Sequence, residues 1–328
     1  MEVAPGVHRL EFVVGAKLMA MYLLAGNHLI LIDSGLPGTP EEVYLPAIRA
    51  LGRGPDEVRL LVITHADADH IGGNSAVRRL FPHAQIACHA RDQRWASDPA
   101  VITAERYDGF APYGLRYDPA VFAMLASWMG PAEPMDLLVQ GGERIRLAGD
   151  DWLTVYHVPG HTPGHICLYS PTHRYALIAD AIFGRSQVDI HGGWSAPPPY
   201  TSVDAYRGTI QTLAALDIDL LLTCHYPIMR GDEVRQFIDA SRQFVDLAEE
   251  VTRQLLRDAT GPLTLGEAIE RADPLLGPFA FARDLQFALA AHLDHAVSRG
   301  EAERGEQDGI VVWTGPSGDW SVEPRRPR

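Results

Sequence analysis

Short apolar runs and helix-spaced apolar positions alternate along the first ninety residues. His8 to Val14, Met19 to Ala25 and His28 to Ile32 are β-type runs separated by Gly15 and by Gly26-Asn27. Thr39 is a candidate cap for a helix with Pro40, Glu41 and Glu42 in its first turn and Val43, Leu45, Ile48 and Leu51 as its apolar positions. Val58 to Thr64 (VRLLVIT) reads as a buried strand, Ser75 to Phe81 as a short helix capped by Asn74, and Gln85 to Cys88 as another strand. Strands resume at Ile145 to Leu147, Leu153 to Val158, Ile166 to Tyr169 and Tyr175 to Ile178. Val203 to Leu216 is a helix with Tyr206, Ile210, Leu213 and Ala214 on its apolar face, and Leu220 to Cys224 is a last strand.

Two stretches break this rhythm. Residues 90–135 are rich in aromatics, with a helix signal only near Pro119 to Trp128. After Gly231 the pattern turns helical. Val234 to Arg257 is a long amphipathic helix, Gly261-Pro262 breaks it, and Thr264 with Glu267 forms a capping box for the next. Ala282 to Arg299 is a third helix closed by Gly300, Ile310 to Trp313 a terminal strand, and Pro324 to Arg328 a frayed tail. The expected division is residues 1–230, with an insertion at 90–135, and residues 231–328.

Composition narrows the chemistry. The 328 residues carry a net charge of −14, and 46% hydrophobic with 21% charged residues is globular. Lys17 is the only lysine, which excludes a GxxxxGK[ST] phosphate loop and any catalytic lysine further along. An acidic chain makes nucleic acid and anionic membranes poor partners and favours a small-molecule substrate. Cys88, Cys167 and Cys224 are odd in number and far apart, and Met1 to Val14 lacks an export pattern, so a cytoplasmic location is expected. Cys88 and Cys167 read as buried core thiols; Cys224, beside His225, is less settled.

Four metal-competent side chains follow VRLLVIT within six residues: His65, Asp67, Asp69 and His70, in the pattern H-x-D-x-D-H. Strand ends hold such groups on a rigid base. Asp33 ends another apolar strand, Asp180 and His225 end two more, and His161 and His165 lie in the rigid turn P-G-H-T-P-G-H. Strand ends converging on one edge would build a site for two metal ions.

The order Asp33, H-x-D-x-D-H, G-H-T-P-G-H, Asp180, His225 resembles the metallo-β-lactamase superfamily over about residues 5–230. The resemblance implies an α/β fold, a four-layer αββα sandwich, with a small, mostly helical C-terminal domain similar to the winged-helix-like module of some relatives. It implies that His65 and His161 serve one metal and that Asp69, His70 and His225 serve the other. Asp180 would bridge them, and Asp33 would orient ligands from behind. The commoner motif has histidine where Asp67 stands. A carboxylate is a harder ligand, so iron or manganese stays open beside zinc, the first choice. Flavodiiron proteins carry a glutamate there, and ComEC-type competence proteins an aspartate.

The implied activity is hydrolysis of a small ester, thioester or lactone by a water that two divalent ions share and acidify. Asp69 would orient that water, and Tyr226 is a candidate donor to the oxyanion, with packing as its other role. His165 is open between a place behind the ligands and a plain turn. Trp95, Tyr113, Trp128, Trp194 and Tyr200 are candidate walls of an apolar substrate pocket. Residues 231–328 hold 11 arginines and 18 acidic residues, net 11 − 18 = −7, so packing, pocket closure or homodimer contacts are expected of them rather than a grip on DNA. The alternatives are a nuclease or phosphodiesterase, a di-iron oxidoreductase, and a binding or regulatory protein with a degenerate site.

Overall fold

Two sheets stack face to face, and the alternation of side chains along their strands creates three separate cores. The computed structural model describes residues 1–315. The first sheet contains, in spatial and chain order, β1 (Glu2–Ala4), β2 (Val7–Val14), β3 (Lys17–Ala25), β4 (Leu29–Ile32), β5 (Val58–Val62), β6 (Gln85–His89) and β7 (Leu137–Val139). Its first four strands are antiparallel, and β4 to β7 run parallel. The chain continues through β8 (Arg144–Ala148), β9 (Asp151–His157), β10 (Ile166–Ser170), β11 (Tyr175–Ala179), the hairpin β12 (Gln187–Val188) and β13 (Trp194–Ala196), then β14 (Leu220–Thr223) and β15 (Met229–Arg230). The second sheet has the order β15-β14-β11-β10-β9-β8.

Successive residues of a strand point to opposite faces. Ala20, Tyr22 and Leu24 of β3 therefore meet Ile166, Leu168, Tyr175 and Leu177 between the sheets. Met19, Met21 and Leu23 face outward, onto Tyr44, Ile48, Val77 and Phe81 of the helical layer. On the far side Cys167, Ala176 and Ile178 pack against Tyr206, Ile210 and Leu213 of the helix Val203–Ala215. The result is a helix-sheet-sheet-helix sandwich. Cys88 and Cys167 are buried free thiols.

The C-terminal part packs onto that outer helical layer. It comprises the helix Asp232–Asp258, β16 (Leu263–Thr264), the helices Leu265–Leu276 and Leu285–Ser298, and the hairpin β17 (Glu303–Gln307) and β18 (Ile310–Thr314). The capping box forms, with Thr264 Oγ1 accepting from Glu267 N at 3.2 Å and Glu267 Oε2 accepting from Thr264 N at 2.9 Å. Tyr113 of the insertion stacks on buried Trp313, and Phe110 meets Phe287 edge-on.

Three local expectations shift. Asn74 lies inside its helix, not at the cap, and its amide donates to Ala96 O. Thr39 makes no side-chain cap; its Oγ1 accepts from Leu36 N. The third C-terminal helix starts at Leu285 after a 3-10 turn, because the Asp284 carboxylate accepts from the Tyr117 hydroxyl at 2.7 Å instead of capping. The frayed tail expected at Pro324 to Arg328 lies outside the described residues. No helix among the described residues is long and apolar enough to cross a membrane.

Candidate metal centre

Five chain segments deliver polar side chains to one edge of the sandwich. Asp33 follows β4, His65 follows β5, Asp180 follows β11, Cys224 and His225 follow β14, and His161 lies in the turn between β9 and β10. Asp33 has φ +57° and Ala179 φ +45°, left-handed conformations that cost a non-glycine residue strain and persist where the surroundings enforce them. At Gly160 φ is +139°, and a Cβ would stand 2.7 Å from Tyr206 Cα, so the turn carrying His161 admits only glycine.

Each ring is oriented from behind. His70 Nδ1 donates to Asp33 Oδ2 at 2.8 Å, His225 Nδ1 to Leu18 O at 2.9 Å, and His161 Nδ1 to Pro199 O at 3.0 Å. Thr64 Oγ1 donates to Asp33 Oδ2 at 2.8 Å, which leaves it to accept from His65 Nδ1 at 3.0 Å. With a proton on every Nδ1, the lone pair sits on Nε2. All four Nε2 atoms are buried without a hydrogen-bond partner, as is Asp180 Oδ1. Asp180 Oδ2 lies 3.0 Å from His225 Nε2 and 3.5 Å from His70 Nε2. Mutually close donors form the sets His65-His161-Asp180 and His70-Asp180-Cys224-His225, with Asp180 common to both. Buried polar atoms are otherwise paired, so this constellation fits cations held by both sets.

The two carboxylates of H-x-D-x-D-H carry partners that sequence reasoning missed. Asp67 faces the site, with Oδ2 2.9 Å from His161 Nε2. Both its oxygens are also taken by the buried Arg106, through Nε at 2.7 Å and a second nitrogen at 2.8 Å, and the Tyr107 hydroxyl adds a bond at 2.7 Å. Burial alone would raise the Asp67 carboxyl; the Arg106 guanidinium and the His161 ring together outweigh it and hold the group well below the usual carboxylate range. Lys17 Nζ donates to Asp69 Oδ2 at 2.7 Å, and that oxygen lies 3.5 Å from His225 Nε2. Here too burial raises the carboxyl, and the Lys17 ammonium together with His70 and His225 lowers it below its ordinary value.

Asp92, also unanticipated, ties the two ligand loops together. It is 1% exposed and accepts from Ala66 N at 3.0 Å, Thr162 Oγ1 at 2.6 Å and Gly164 N at 2.6 Å. A Cβ on Gly164 would lie 2.7 Å from Asp92 atoms, which explains the second glycine of G-H-T-P-G-H.

Other expected site residues lie elsewhere. The Tyr226 hydroxyl is bracketed by Phe183 O at 2.7 Å and Ser186 O at 3.0 Å, so the oxyanion donor expected there is already engaged with the backbone. His165 stacks beneath His65 at 4.4 Å, and burial holds its pKa well below the usual value. Trp95 and Tyr113 line a 360 Å³ cavity between the insertion and the helix Leu285–Ser298, with Arg106 and Phe287 beside them. Tyr200 is not a pocket wall: it is fully buried, stacks on Tyr206 and bonds His292 at 2.7 Å. Trp128 packs against the N-terminal outer core, and Trp194 stacks on Phe279 in a separate, part-exposed surface.

Comparison with known proteins agrees with this architecture. Residues 19–225 match the family described as the metallo-beta-lactamase superfamily. The probable metallo-hydrolase YflN of Bacillus subtilis is 25% identical over 254 residues, which is 71% of this chain and 89% of that protein. An acyl-coenzyme A thioesterase of Gallus gallus, MBLAC2, is 32% identical over 197 residues, 57% of this chain and 63% of that protein's length. A metallo-beta-lactamase family protein from Thermus thermophilus superposes with a TM-score of 0.71 at 22% identity, covering 95% of this chain and 99% of that one, and shares its fold.

Proposed function

The chain belongs to the metallo-beta-lactamase superfamily and is a metallo-hydrolase; on that premise we propose that it cleaves a small ester, thioester or lactone at a centre of two divalent ions. The observation that carries this reading is the set of four buried, unpartnered Nε2 atoms gathered around Asp180. His65 and His161, with Asp67, would hold one ion; His70 and His225, with Asp69, the other; Asp180 would serve both. When bound, the ions supply Lewis acidity and an acidified water. Zinc is the ion we favour, because the donors are mainly imidazoles and Arg106 offsets the negative charge of Asp67.

The chain's own groups position the reaction. Asp33 fixes the tautomer and the angle of His70. Lys17 binds Asp69 Oδ2, and this carboxylate would orient the attacking water as a hydrogen-bond acceptor. The cavity walled by Trp95, Tyr113 and Phe287 is available to the organic part of a substrate. A thioester is the class we place first, since a relative bears the name of an acyl-coenzyme A thioesterase. We read residues 231–315 as a winged-helix-like module that braces the insertion, since Tyr113 and Tyr117 dock on it.

Elemental analysis and a substrate panel test the reading. We expect about two zinc ions per chain, and ester, thioester or lactone turnover that chelation abolishes and zinc restores. Full activity in a metal-free, chelated protein would overturn the proposal. Faster cleavage of bis(p-nitrophenyl) phosphate than of any ester in the panel would move it to a phosphodiesterase.

A further inference from the structure

Asp69 and His70 follow β5 of the first sheet, while Asp180 and His225 follow β11 and β14 of the second. The donors assigned above to the second ion therefore come from both sheets, and their spacing depends on how the sheets are held together at this edge. For His65 and His161 the link is Asp92, which accepts from Ala66 N and Gly164 N. The His225 side has a link of its own. β14 ends at Thr223, so the carbonyls around His225 leave the strand ladder while still buried and need other donors. The first sheet supplies them. Ala20 N donates to Cys224 O at 2.9 Å, and the Tyr22 hydroxyl donates to Thr223 O at 2.7 Å. Arg9 Nη2 donates to Tyr226 O at 2.6 Å, and Arg9 Nη1 to the Tyr22 hydroxyl at 3.3 Å. Arg9 and Tyr22 are cross-strand partners of β2 and β3, so their side chains share the face turned to the second sheet. Arg9 is 2% exposed. Among the described residues its one carboxylate at ion-pair distance is Glu11, 2.7 Å from Nε, and Nε gains no aligned hydrogen bond from it. A buried guanidinium is costly to desolvate; here its short, charge-assisted bond goes to the backbone beside His225.

We propose that Arg9 is a positioning residue for the second ion: from β2 it reaches across the space between the sheets and fixes the turn that presents His225. The inference rests on the dinuclear reading above and deepens it. His225 Nδ1 is tied to Leu18 O of β3, so the ring and the backbone on both sides of it are registered against the same pair of strands. Thr223 Oγ1 reaches Tyr226 O only at 3.4 Å, so without Arg9 that buried carbonyl keeps one weak donor. The turn then relaxes, and His225 Nε2 shifts relative to Asp69 and His70 of the other sheet. The second ion loses affinity, while the first, registered through Asp92, keeps it.

Zinc titration of the full, previously chelated chain against a chromophoric competitor reads the affinities of both ions. Arg9→Met keeps much of the side-chain length and removes the donors. It should bind one zinc ion within about 3-fold of wild type and the other about 10-fold more weakly. Arg9→Lys, which restores a cation and a donor, should recover part of the loss. The double variant Arg9→Met/His225→Ala should bind zinc no more weakly than His225→Ala alone, because the two residues act through one ligand. A purely structural role would instead make the losses add and lower both affinities together. Leu213→Ala, which opens a cavity under the outer helix, controls for lost stability and should leave both affinities unchanged. Where Arg9→Met does not fold, Tyr22→Phe takes its place: it keeps the ring, removes the bond to Thr223 O, and should weaken the second ion by a smaller factor. Wild-type affinity for the second ion in Arg9→Met, or in Tyr22→Phe where that variant stands in, overturns the assignment and leaves the dinuclear reading intact. So does a double variant whose losses add. A wild-type chain that binds fewer than two zinc ions overturns both.

Discussion

Replacing Arg106 with methionine takes the guanidinium from Asp67 and keeps much of the side-chain length. Arg106 is 4% exposed, holds both Asp67 oxygens at 2.7 and 2.8 Å, and donates to His161 O at 3.1 Å. Deleting one partner of a buried ion pair costs about 3–5 kcal/mol, because the remaining charge stays buried without compensation. Tyr107 still donates to Asp67 in the variant, which places the expected loss near the lower end, about 3 kcal/mol. The pH dependence has a definite sign. Arg106 depresses the Asp67 carboxyl in the folded state. Such a group contributes stability that is complete above its unfolded value, ~3.9, and is lost as pH falls through the folded one. The gap between wild type and Arg106→Met is therefore full at neutral pH and narrows below about pH 4. Urea unfolding of the chelated protein measures it, with the slope checked for constancy. Zinc should narrow the gap as well, since a bound cation compensates Asp67. A neutral-pH loss under about 1 kcal/mol, the worth of an exposed pair, would refute the argument, as would a gap that widens on acidification.

Two further substitutions separate structure from chemistry. Asp92→Ala leaves the amides of Ala66 and Gly164 buried without an acceptor, at about 1–3 kcal/mol each. It should unfold at lower urea and hold metal more weakly, because both ligand loops lose their common anchor; wild-type stability and metal affinity would refute that. Tyr226→Phe should lose about 1 kcal/mol of stability and keep kcat/KM within a few-fold. A fall of ~10²-fold, the scale of a lost general acid, would restore Tyr226 as a donor to the reaction.

The residues that converge on the candidate centre were legible because most stand at the end of an apolar run, and a strand end is visible locally. VRLLVIT-His65 and LLLT-Cys224-His225 are unambiguous in this sense. What holds the ligands was not legible. Arg106 and Tyr107 sit in an aperiodic segment, 39 and 40 positions from the Asp67 they clamp. Asp92 binds Gly164 across 72 residues. No period or spacing announces such contacts. One signal was available: a single lysine among 28 basic residues is anomalous, and that lysine bonds Asp69 at the candidate centre. The aromatic segment also misled, because large side chains serve walls and cores alike. Trp95 borders a cavity, while Tyr200 fills the interior.

The segment after β6 is more than a cover for the site. Asp92, Arg106 and Tyr107 all come from it, and together they grip the loops that carry His65 and His161. In this chain the insertion is therefore no exchangeable cassette for altering substrate choice. A graft that brings a new loop without these three residues discards the scaffolding of the ligands along with the old pocket.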